Sequence, residues 1–271
     1  MQGEIVAEGL AFPEGPVWHD GRLYFVEILG GRVQCYTPGG GVQLVANTGG
    51  GPNGATLGRD GALYVTQNGG MGREARVTPG ILRVTLDGEV SVVTQSVAGL
   101  TLEGPNDLAF GADGKLYFTD PRGLSDPSRN DKPGRLFAWD LTAKQGELLQ
   151  ELGPVFPNGI AFDADQTLLW TESFSLRVMA LRQGKPAQVL QLPERHFPDG
   201  FCIGQDGRLY VASTYGHCVT VIEKGEIVDK LMCGDGMPTN CCFAGESLYV
   251  TESRRGTLWK FDLGRTGLAL H

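Results

Sequence analysis

The sequence predicts an all-β protein: a six-bladed β-propeller of four-stranded antiparallel blades, with residues 1–271 forming one domain. Six segments repeat one pattern, a proline, a small or oxygen-bearing residue, and then a short strand beginning with leucine. They read FPEGPVWHDGRLYFVE, GPNGATLGRDGALYVTQ, GPNDLAFGADGKLYFTD, FPNGIAFDADQTLLWTE, FPDGFCIGQDGRLYVAS and MPTNCCFAGESLYVTE. The spacing from the residue after the proline to the leucine is 9, 10, 10, 10, 10 and 9, and the leucines (Leu23, Leu63, Leu116, Leu168, Leu209, Leu248) lie 40, 53, 52, 41 and 39 residues apart. A period near forty built of strand-like segments is the mark of small sheets repeated around an axis. Composition agrees: Gly 41 and Pro 15 suit many tight turns, and runs such as LYFV and LYVT recur without a helical period.

Within each unit the segment after the proline is the first strand and the leucine opens the second. The Asp-Gly pairs at Asp20–Gly21, Asp60–Gly61, Asp113–Gly114 and Asp206–Gly207 mark the turn between them. Unit four has Asp165–Gln166 there and unit six has Gly245–Glu246, which are weaker turn signals. GRVQCYTP and GVQLVANT supply the third and fourth strands of unit one, and GRLFAWDL and GELLQEL do so in unit three. After Leu248 the chain is short of a full blade, so the segment around Glu4 to Gly9 is expected to pair as the outer strand of the last blade and close the ring.

Lys+Arg 23 against Asp+Glu 31 gives a net charge of -8 with no basic run, which opposes binding to nucleic acid or an anionic membrane surface. The N-terminal MQGEIVAEGLAFPEG lacks the basic start and apolar stretch of a secretion signal, and no run reaches membrane-spanning length. A cytoplasmic protein is expected. Cys35, Cys202, Cys218, Cys233, Cys241 and Cys242 form no CxxC pair and no zinc spacing with histidine, so reduced, buried thiols are expected.

Function is most legible in the residues after the prolines: Glu14, Asn53, Asn106, Asn158, Asp199 and Thr239. Equivalent positions in a propeller face one axis, so these six are expected to form a ring of oxygen-bearing side chains. Carboxylates crowded on an axis repel one another, and a divalent cation relieves that cost. Such a set suits calcium first, then magnesium, manganese or iron, with zinc allowed in a mixed oxygen and water shell. A second series, Glu27, Gln67, Asp120, Glu172, Ser213 and Glu252, lies four residues beyond each leucine, on the same face. It is read either as support that orients the ring or as ordinary polar strand ends. Two insertions, Asn68 to Gly80 and Pro121 to Gly134, follow second strands and are expected to overhang the ring as lids. Among the histidines, His19 falls on the opposite face and His271 is terminal, while His196 and His217 lie near the ring face.

With these residues in place, the chain resembles the SMP-30/gluconolactonase/luciferin-regenerating-enzyme family of six-bladed propellers. The resemblance spans essentially the whole chain and rests on PEGPVW at Pro13 to Trp18, PNDLAF at Pro105 to Phe110 with LYFTDP after it, PNGIAF at Pro157 to Phe162, and PDGF at Pro198 to Phe201. It implies that Glu14, Asn158 and Asp199 bind one divalent metal and that Asn106 sits at the metal and touches substrate. Animal-type sugar lactonases of the family carry an arginine two residues before that asparagine. Here Gly104 stands there after Glu103, leaving Arg73, Arg76, Arg122 and Arg129 in the insertions as candidate replacements.

The function this implies is a metal-dependent lactonase acting on a sugar lactone or related small lactone. Asp199 is the candidate base, and Asn106, Asn53 and Asp120 are the candidate substrate contacts. A phosphotriesterase-like hydrolase on the same metal site is one alternative. The other is a non-catalytic propeller binding calcium or a protein partner.

Overall fold

The computed structural model describes residues 3–70, 77–122 and 126–269. Six four-stranded antiparallel sheets stand around a central axis, five of them with their strands in sequence order from the axis outward. Blade one runs Pro13–His19, Arg22–Glu27, Arg32–Thr37 and Gly41–Asn47. In blade six, Pro238–Ala244, Ser247–Glu252 and Thr257–Asp262 are completed by Glu4–Ala7, which pairs antiparallel with Thr257–Asp262. The ring therefore closes by joining the first described strand to the last blade, as expected. A small hairpin, Ser96–Val97 with Leu100–Thr101, lies between blades two and three and has no counterpart in the sequence reading.

The repeat spacing has a direct structural cause. In every blade the residue four beyond the ring position pairs with the leucine: Trp18 with Leu23, Leu57 with Leu63, Phe110 with Leu116, Phe162 with Leu168, Ile203 with Leu209, and Phe243 with Leu248. Only the turn between them varies. Blades one and six use two-residue turns, Asp20–Gly21 and Gly245–Glu246, which accounts for their shorter spacing. Blades two to five use a longer turn whose last residue is left-handed: Gly61, Gly114, Gln166 and Gly207. Gln166 holds φ 61° where its counterparts are glycine, so the turn shape belongs to the blade and overrides the local residue preference.

All six leucines are buried, and the core lies between neighbouring sheets rather than within any one blade. Trp170, Tyr210, Phe25, Phe118 and Phe137 are its largest fully buried side chains. Side-chain bonds from one blade to the backbone of the next add to this packing. Thr66 Oγ1 donates to the carbonyl of Asn106 (2.5 Å), Thr119 to that of Asn158 (2.8 Å) and Thr171 to that of Asp199 (2.7 Å). Each of these threonines ends the apolar run of a second strand and fixes the backbone of the next ring residue. Thr119→Val keeps the shape but leaves that buried carbonyl short of a donor, so it should lower unfolding stability by about 1–2 kcal/mol in a denaturant titration. A change within a few tenths would remove these threonines from the account of how the ring is held.

No described helix is long and apolar enough to cross a membrane.

Candidate functional site

Five first strands carry a register shift at the proline end: between Glu14 and Val17, Pro52 and Ala55, Pro157 and Ile160, Pro198 and Phe201, and Pro238 and Asn240. Such bulges re-aim a side chain and end pairing, and here they occur where the chain meets the axis. In blade three the regular strand starts only at Leu108, leaving Asn106 and Asp107 outside it, although the Asn106 amide still bonds the Thr119 carbonyl (2.9 Å).

Glu14, Asn53, Asn106 and Asn158 are buried at this end of the axis, and Asp199 is half-buried. Thr239 does not join them. Its hydroxyl is fully buried and donates to the Pro13 carbonyl (2.9 Å), with Thr251 Oγ1 also at 2.9 Å, so it ties blade six to blade one. Blade six instead contributes the next residue, Asn240, whose Nδ2 donates to Glu14 Oε2 (3.1 Å) and reaches Asp107 Oδ2 (3.5 Å). The expected ring is therefore corrected at Thr239 and extended by Asp107 and Asn240.

Both added residues follow the ring position directly. The other four blades have glycine there: Gly15, Gly54, Gly159 and Gly200. A Cβ on Gly54 would collide with Asp107, and one on Gly200 would collide with Asn240. The glycines of one blade thus make room for the acid and the amide of the next. Two departures from a repeated glycine were the available signal for both residues.

The electrostatics are those of like charges held together. Burial pushes the Glu14 carboxyl well above the usual range, and repulsion from Asp199 and then Asp107 adds to this. Burial raises Asp199 to about 8, aided by Asp107 and opposed by hydrogen bonds from Asn158 and the Gly200 amide. Asp107 is raised by burial to about 7 despite hydrogen bonds from the Leu108 amide and Asn240. None of the three carboxyls has a lysine or arginine ion pair among the described residues. The side-chain amides of Asn53 and Asn106 make no hydrogen bond to a described residue. Uncompensated anionic oxygens beside free amide oxygens fit a hard divalent cation. No three His, Cys, Asp or Glu side chains among the described residues are gathered closely enough to hold an ion alone, so such a site needs the asparagines.

Four of the second series brace the chain entering the ring, whereas Glu172 bonds Trp170, Ser175 and Arg177, and Ser213 bonds Thr220. Glu27 accepts from the Ala11 amide (2.8 Å), Gln67 from Gly51 (2.5 Å), Asp120 from Gly104 (2.8 Å) and Glu103 (3.3 Å), and Glu252 from Met237 (2.7 Å). Each of those amides lies two or three residues before a ring position. Asp120 is fully buried with its oxygens engaged in this way, so it acts on Asn106 through the loop before it.

The insertions are described only in part, and Arg73 and Arg76 lie outside the described residues. Arg122 is held by Glu103 Oε1 (2.7 Å) and the Pro133 carbonyl (3.3 Å), while Lys132 Nζ meets Glu103 Oε2 (2.5 Å). Burial would raise Glu103, but these two cations hold it below the usual carboxylate range. Arg122 thus pins its insertion to the loop before Asn106. Arg129 is exposed. His217 Nδ1 is spent on the Gly236 carbonyl (2.7 Å), and His196 Nε2 is buried without a partner.

Fold and site together define a six-bladed propeller with an acid-and-amide cluster at one end of its axis. The chain belongs to the SMP-30/gluconolactonase/LRE-like family, whose model matches residues 12–254. It is 28% identical to a gluconolactonase of Zymomonas mobilis, covering 92% of this chain and 78% of the relative. It is also 28% identical to a pentonolactonase of Haloferax volcanii, over 97% of this chain and 94% of the relative. The solved gluconolactonase of Xanthomonas campestris shares the fold with a TM-score of 0.79 at 24% identity, covering 97% of this chain and 89% of its own.

Proposed function

We propose that this protein is a metal-dependent lactonase that opens a sugar lactone or related small lactone at the axial cluster. The observation that carries this reading is the set of three buried or half-buried carboxyls with no cationic partner, placed beside unpartnered asparagine amides. The two relatives named for lactone hydrolysis support the substrate class. Glu14, Asn158 and Asp199 would hold the ion, with Asn106 as a further ligand or substrate contact. When bound, a divalent cation supplies positive charge that lowers the carboxyl pKa values and polarises the lactone carbonyl.

Asp199 takes a proton from the attacking water as the water oxygen bonds to the carbonyl carbon. The ring C–O bond then breaks, and the same carboxyl returns its proton to the departing ring oxygen, giving the open hydroxy acid. Asn53 and Asn106 offer amide N–H groups to the oxygen on which charge develops. Asn240 holds the Glu14 carboxyl in place, and Asp120 holds the loop that carries Asn106.

A panel of aldonolactones assayed with chelated protein, with single divalent ions added back, tests this reading. Hydrolysis should be near background after chelation and return with at least one ion. Absence of hydrolysis with every lactone and every ion would overturn it.

A further inference from the structure

A sizeable cavity lies on the other side of the axial cluster. It has a volume of about 590 Å³ and follows the first strands down the axis, away from the proline ends. Its wall includes the residue four beyond each ring position: Trp18, Leu57, Phe110, Phe162, Ile203 and Phe243. All six are apolar and pack into the clusters between blades, yet Trp18, Leu57, Phe162 and Phe243 keep part of their surface open. A cavity of this size with apolar walls and a few polar groups has the make-up of a small-molecule site.

Between its two ends the wall is mainly apolar, with Thr56 and the thiols of Cys202, Cys241 and Cys242 its other polar groups. Asp107 and Asn240 form the inner end. Arg59 stands at the mouth, exposed and without an ion pair among the described residues. The C-terminal segment is folded across the same mouth: the Leu268 amide donates to the Ile203 carbonyl (2.8 Å), the Gln205 amide donates to that of Thr266 (2.9 Å), and Gly267 packs on Phe243. The tail thus narrows the entrance without filling the chamber.

We propose that this chamber is a second ligand site, sharing only Asp107 and Asn240 with the axial cluster at its inner end, for an elongated amphiphile with one anionic group, an aliphatic or aromatic carboxylate. Its hydrocarbon body lies within the apolar ring and its anion lies at Arg59. Arg59, the one cation among the described residues lining the chamber, sets that orientation. This inference does not depend on the lactonase reading.

Decanoate is the probe, with decanol as its uncharged counterpart and Trp18 emission as the local reporter. Decanoate should bind saturably at one per chain, change the emission of the wild-type protein, and leave that of Trp18→Phe unchanged. Arg59→Glu, a surface change, should weaken decanoate binding about tenfold while leaving decanol binding and the melting temperature alone. Leu57→Asp, checked for an intact fold by its melting temperature, should weaken both ligands. No saturable binding, or decanoate binding equal in the wild type and in a folded Arg59→Glu, would overturn the proposal.

Discussion

Asp199→Asn should lose turnover by roughly 10²-fold or more at saturating cation, whereas Glu14→Gln should recover much of its activity under the same conditions. Each change removes one negative charge and keeps an oxygen of similar reach, so each should weaken cation binding. They differ in that Asp199 is also assigned the proton transfer, and an amide cannot accept a proton at neutral pH. Glu14 is held by the Gly15 amide (2.6 Å) and by Asn240, as suits a carboxyl that is fixed rather than one that exchanges protons. The discriminating quantity is kcat at saturating ion, because ground-state cation affinity has then been removed from the comparison. Equal recovery of both variants would reduce Asp199 to a ligand and leave the reaction without a protein base.

The second large effect concerns the chelated protein, whose stability should fall as pH rises. Glu14, Asp107 and Asp199 all have carboxyls raised above the values they take in the unfolded chain, the last two to about 7 and about 8. Asp120 is raised to about 6, again chiefly by burial. Between pH about 4 and 8 the native state therefore binds more protons than the unfolded state, and each extra proton tilts stability downward by about 1.4 kcal/mol per pH unit. The stability these groups contribute is complete below their unfolded values and is lost as pH rises through the folded ones. Carboxyls held low by partners, such as Glu27 and Glu103, act in the opposite sense, but at pH below about 4. The chelated protein should melt at least about 5 °C lower at pH 8.5 than at pH 6. A bound cation stabilises only the native state, so saturating ion should restore most of that loss. A chelated protein as stable at pH 8.5 as at pH 6 would show that the cluster is not under this strain.

The propeller was legible because its two controlling features are local and repeated. The turn signals fall at fixed distances from each leucine, and the pairing of the ring-plus-four residue with that leucine survives even where Gln166 replaces the turn glycine. Five of the six ring positions were legible for the same reason, since equivalence in the repeat means equivalence around the axis. Thr239 broke the rule because blade six shifts register over a shorter interval and pairs Asn240 with Thr251, turning the threonine into the interface with blade one. Asp107 and Asn240 were passed over because their space is created by glycines of another blade, a relation between residues about forty to fifty apart. The second series was visible as polar strand ends, but the backbone amides that Glu27, Gln67, Asp120 and Glu252 hold in the preceding loops appear only once the chain is folded. The chamber on the far side was illegible for a different reason. Its lining residues share the apolar pattern of the core, and sequence does not distinguish a wall from a filled interior.

The central claim is that the acids and amides at the axis form one divalent-cation site anchored by Asp199. Metal content per chain, measured on the purified protein and on folded Asp199→Ala after equilibration with the activating ion and removal of the excess, tests it most directly. The account predicts about one tightly held equivalent in the wild-type protein and loss of most of it in the variant. Full retention of metal by Asp199→Ala would contradict it.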